Sequence, residues 1–141
     1  MIEETEMHEL LRGFEDLTLP KARWTHLAHV AVALVYTRAM GAEHAAPAMR
    51  ARLRAYNTAV AGNADGYHET ITFAWIALLD DFLRGVDRER PPHELFERAL
   101  EHAADKQFLL RFYSEAVLTS AEARSCYMPP DVAPLAWPRE R

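Results

Sequence analysis

Trp24-Thr25-His26-Leu27-Ala28-His29-Val30-Ala31-Val32-Ala33-Leu34-Val35-Tyr36-Thr37-Arg38-Ala39-Met40-Gly41 is the stretch that decides the fold. Leu27, Val30, Ala31, Leu34 and Val35 recur at spacings of three and four, the period of an α-helix, and the apolar face is wide enough to be buried on more than one side. Thr25 is a suitable N-cap, and Gly41 supplies the stop where a left-handed backbone is needed. The spacing therefore predicts a central helix from about Trp24-Thr25 to Met40.

The flanking segments read the same way. Met7, Leu10, Leu11 and Phe14 predict an amphipathic helix from about Thr5 to Leu17, ended by Thr18-Leu19-Pro20. After Gly41, the recurrence of Met49, Leu53, Tyr56 and Val60 predicts a helix over roughly Ala42 to Val60. The clearest loop is Ala61-Gly62-Asn63-Ala64-Asp65-Gly66, with Asp65 as the expected N-cap of a helix that carries Ile71, Phe73, Trp75, Ile76, Leu78, Leu79 and Phe82 to about Arg84-Gly85. Arg90-Pro91-Pro92 breaks the chain, Pro92 or His93 opens a fifth helix to about Ala104, a helical segment with Phe108, Leu109, Phe112 and Tyr113 follows, and a short helix covers Ser120 to Arg124.

The fold class expected is all-α: a compact bundle of about five to six helices in one domain over 1–141, with its core in about 5–127 and an extended strap, 128–141. The strap holds Pro129, Pro130, Pro134 and Pro138. Its Val132, Leu135 and Trp137 are apolar enough to pack on the helices, whereas Arg139-Glu140-Arg141 should fray.

Composition narrows the function classes. Of 141 residues, 50% are hydrophobic and 26% charged, the balance of a chain that buries one core. A formal net charge of -5 is the wrong sign for neutralising phosphates, which predicts neither a nucleic-acid partner nor an anionic membrane. Arg50, Arg52 and Arg54 read as a solvated helix surface. Cys126 is the only cysteine, so no intrachain disulfide forms, and the acidic Met1-Ile2-Glu3-Glu4 start is unlike an export signal. A reducing, cytoplasmic location is the expectation, and the partners left open are a small molecule and a second copy of the chain in a homodimer.

Candidate chemistry lies in three histidines. His26 and His29, three apart, share one helix face with Cβ atoms about 5–6 Å apart. His68 starts another buried helix, and packing of the two helices would bring three imidazoles together, with Glu69 as an oxygen ligand or proton acceptor and Tyr67 beside it. Three nitrogen ligands suit a divalent zinc, iron, nickel or copper ion with a position left for water. Two other readings stand beside this one: metal-free acid–base work in which Tyr67 or Glu69 sets the tautomer, and a non-catalytic binding or interaction protein with structural histidines. In the structural reading His26 or His29 bonds to backbone and His68 pairs with Glu69 or a tyrosine.

The other polar groups read as bland. Tyr56-Asn57 and Tyr113-Ser114 are aromatics of the core with satisfied hydroxyls before they are pocket residues, and Trp75 is core. Asp80-Asp81 diverge by about 100° on a helix and should be solvated. His8, His44, His93 and His102 are expected on the surface, and Cys126 is expected to be an inert thiol.

Trp24-Thr25-His26 with His29, then Gly66-Tyr67-His68-Glu69-Thr70-Ile71-Thr72 with Trp75, resemble the motifs of a family of short bacterial all-helical proteins without an established activity. The likeness continues into Arg111-Phe112-Tyr113-Ser114, Ser120-Ala121-Glu122-Ala123-Arg124, Pro130-Asp131 and Pro134-Leu135. It implies a shared site at the histidine motifs and no particular reaction. A more distant similarity, to DinB-like metal-dependent helical bundles, implies that three histidines in a bundle can hold a divalent ion. This chain departs from that pattern in lacking a late His-x-x-x-His pair, and its His-x-x-His comes early.

Overall fold

Why α2 sits at the centre is visible in its burial. In the computed structural model, which describes residues 2–63 and 66–139, α2 spans His26–Met40 and buries Val30, Ala31, Val32, Ala33 and Leu34 in unbroken succession, each at 2% exposure or less. A helix with successive positions buried must be covered all round, and α1 (Glu4–Glu15), α3 (Ala42–Tyr56), α4 (Glu69–Arg84) and α5 (Pro92–Ala103) cover it. Leu27 departs from the expectation. It lies on the uncovered first turn and is 41% exposed. The fold is all-α.

The ends of α2 follow the sequence. Thr25 Oγ1 accepts from the Ala28 N–H at 3.2 Å, and Gly41, at φ +79°, both stops α2 and begins α3. A residue with a side chain would be strained there, so glycine permits a corner with no intervening loop. α3 does not continue regularly to Val60. After Tyr56 it widens into one π-helical turn, Asn57–Ala61, which Gly62 ends in the left-handed conformation.

Beyond α4 and α5 the chain forms a 3-10 segment, Lys106–Arg111, where part of a sixth helix was expected, then two short helices, α6 (Glu115–Leu118) and α7 (Ala121–Ser125). Phe108 and Trp137 meet at 5.5 Å between ring centres, and Trp137 also packs on Phe82 at 5.0 Å and His102 at 5.6 Å. The strap is thus anchored by Trp137, while Val132 is 58% exposed. Arg139 does not fray. Its guanidinium donates to the Asp81 backbone oxygen and side chain, and Asp81 Oδ2 accepts the Trp137 N–H at 2.7 Å, so Asp81 is a clasp for the tail. Glu140 and Arg141 lie outside the described residues.

Candidate functional site

Two segments distant in sequence meet at a cleft of about 410 Å³. Its first wall is Lys21, Trp24, Thr25, His26 and His29; its second is Leu53, Asn57, Ala61 and Asn63; its third is Gly66, Tyr67, His68, Ile71 and Thr72. All three histidines singled out by the sequence therefore border one space. The π turn at the end of α3 is what carries Asn57, Ala61 and Asn63 into the wall, and such widened turns recur at functional sites.

His68 is a structural residue of unusual kind. Its Nδ1 accepts the Ile71 N–H at 3.1 Å, making it the N-cap of α4, and its Nε2 lies 2.7 Å from the Leu118 backbone oxygen. A backbone N–H can only donate and a carbonyl can only accept, so the ring is neutral, with its proton on Nε2. Both nitrogens are used. Burial holds the imidazole below its ordinary pKa, with the Leu118 carbonyl opposing and the charge of Arg124 adding to the effect. The partner foreseen for His68 was Glu69 or a tyrosine; the backbone of α4 and α6 takes that place. Asp65, the N-cap foreseen for this helix, lies outside the described residues.

His26 Nε2 donates to the Ala103 carbonyl oxygen at 2.8 Å, which fixes a proton on that nitrogen. Its ring lies 5.5 Å from that of Trp75, a core residue at 5% exposure. His29 differs from both. Its ring stacks on Trp24 at 5.4 Å, Trp24 stacks in turn on Phe14 at 4.4 Å, and the imidazole makes no hydrogen bond among the described residues. Burial, and then the neighbouring His26, push His29 down from 6.5 to about 4, so it is uncharged at neutral pH.

Glu69 and Tyr67 are committed to each other and to α3. Arg50 donates to both carboxylate oxygens of Glu69, at 3.0 and 2.8 Å, and the Tyr67 hydroxyl donates to Oε1 at 2.5 Å. Burial alone would raise the Glu69 pKa, but the bonds from Arg50 and Tyr67 and the charges of Arg50 and Arg54 hold it below the usual range. That is the opposite of what a base at neutral pH needs. Glu69 does not border the cleft, and Tyr67, buried and bonded to Glu69, has its phenol pushed up to about 12. Arg52 and Arg54 are exposed on the helix surface as expected, and from there they also touch neighbouring segments: Arg54 lies over the Tyr67 ring at 4.9 Å and Arg52 donates to the Glu15 carbonyl.

Among the described residues no group of three or more His, Cys, Asp and Glu side chains is placed to hold a metal ion. Tyr56 and Tyr113 are fully buried, with hydroxyls donating to the Leu19 and Met128 carbonyls. His8 and His44 are exposed as expected, whereas His102 is partly buried on Phe108 and His93 is partly buried. Sequence reasoning missed Lys21, Asn63 and Thr72 as wall residues; no spacing rule connects them, because they come from the segment before α2, the loop after the π turn and the first turn of α4, which meet only in the folded chain. No helix among the described residues is long and apolar enough to cross a membrane. No protein-family model, curated protein or solved structure matches the chain.

Proposed function

We propose that the protein binds a small organic molecule in the cleft between α2, the π turn and the start of α4, with His29 as its main polar contact. One observation carries this reading. His29 is a neutral imidazole, without a hydrogen-bonding partner among the described residues, bordering a cavity of a size that small ligands fill. The ring nitrogens of His29 keep some exposure, so a ligand in the cleft can bond to them. Trp24, stacked on the His29 ring, and Leu53 add apolar surface to the same cleft.

The resemblance of the histidine motifs to the bacterial helical family fits a site kept in one place by His26 and His68, with only His29 free to touch a ligand. Under this reading His26 and His68 are framework, and Tyr67 and Glu69 hold the wall instead of moving protons. The lone exposed thiol of Cys126 fits a reducing cytoplasm.

A second reading, a divalent zinc, iron, nickel or copper ion, draws support from His26. Its Nε2–H is held by a backbone carbonyl, the outer bond typical of a metal-bound imidazole, and His26 and His29 border the same cleft. His68 joins such a set only if its cap on α4 is broken.

Elemental analysis of untagged protein after reconstitution, run beside a small-molecule screen read by histidine-ring NMR, separates the two. The leading reading expects no stoichiometric metal and organic hits that shift the His29 ring and disappear in His29→Ala. One metal per chain with loss on His26→Ala establishes the second. A His29 ring that no compound moves overturns the first.

A further inference from the structure

The charge of the cleft wall limits what enters it, and the limit rests on the small-molecule reading above. Among the described residues Lys21 is the one formally charged side chain of the wall, and no carboxylate borders the space, Glu69 being held outside it by Arg50. Lys21 is exposed and makes no ion pair among the described residues. The amides of Asn57 and Asn63 likewise make no side-chain hydrogen bond there. They converge: a Cβ placed on Gly66 would stand 2.7 Å from Asn63 Nδ2 and 3.6 Å from Asn57 Nδ2, so glycine at 66 is what leaves room for two amide groups at one spot. The start of α2, at Thr25 and His26 in the same wall, adds a positive backbone field.

From this set we infer that the ligand is a small organic monoanion, a carboxylate on an apolar body. The carboxylate is met by the His29 N–H, Lys21 and the paired amides, and the body lies against Trp24, Leu53 and Ile71. A carboxylate has acceptors only, which complements ammonium and amide donors. A single wall cation suits one negative charge and does not suit a polyanion. Among the described residues an ammonium ligand finds no wall carboxylate to pair with, and its desolvation would go uncompensated there.

The test uses the full chain and two matched sets of probes: benzoate, benzamide and benzamidine, and hexanoate, hexanamide and hexylamine. Binding is followed by the ring signals of His29 and the side-chain amide signals of Asn57 and Asn63. The result expected is that at least one carboxylate binds tenfold or more tighter than its own amide and amine, and that Lys21→Gln weakens the carboxylate at least threefold while leaving the amide unchanged. Amides or amines that bind as well as the carboxylates, at the same residues, overturn the assignment of charge and leave the small-molecule site standing. If none of the six probes moves those signals, both readings fall together.

Discussion

At the scale of single residues, three histidines with similar surroundings in sequence have three different tasks, and acid separates them. His29 has a folded-state pKa of about 4 against 6.5 when unfolded, so below pH 6.5 the unfolded chain takes up a proton that the folded ring refuses. Stability contributed by the neutral ring is therefore intact above pH 6.5 and is lost as pH falls toward 4, by about 3 kcal/mol over the whole interval. Urea midpoints measured from pH 7.5 to 4.5 should fall more steeply in the natural protein than in His29→Phe, and parallel curves would show that the ring titrates normally. For His68 the test is substitution. His68→Ala removes a helix cap and strands the Leu118 carbonyl, a loss of about 2 kcal/mol, whereas His68→Asn, a good N-cap, should recover about half of it in chemical denaturation.

At the scale of elements, the helices were legible because their signals are local. Thr25 as a cap, Gly41 as a stop and Pro92 as the first residue of α5 each act through backbone geometry that the residue itself imposes. The meeting of the His26–His29 pair with His68 was legible as well, since packing of α2 on α4 follows from two helices with little polar surface. The tasks of those histidines were not, because a ring's partner is chosen by tertiary placement: Ala103 and Leu118 are 77 and 50 residues away. The π turn was also hidden, being a register shift that Asn57-Thr58-Ala59-Val60-Ala61 does not announce. The loop after it tests the wall. In Gly66→Ala the new methyl group crowds the Asn63 side chain, which is exposed and can swing aside, and lies at ordinary contact distance from Asn57 Nδ2. Stability should change by less than about 0.5 kcal/mol in thermal unfolding, while carboxylate affinity falls, because the amide pair is parted.

For the whole molecule, the strap and the bundle are joined through few residues of large effect. Trp137 is 6% exposed against Phe82, His102 and Phe108, and Asp81 in the last turn of α4 holds both its N–H and Arg139. Trp137→Ala should lower the stability by about 3 kcal/mol in urea unfolding and render the tail open to limited proteolysis, with the helical signal of the bundle retained. Resistance to opening is also uneven from one end of the bundle to the other. The first turn of α4 depends on a lone pair that a single proton consumes, since an imidazolium has only donors to offer the Ile71 N–H. In mildly acidic deuterium oxide the amides of Thr70, Ile71 and Thr72 should accordingly exchange well before those of Leu78 and Leu79 in the same helix, so the rim of the cleft loosens while its foundation keeps its protons.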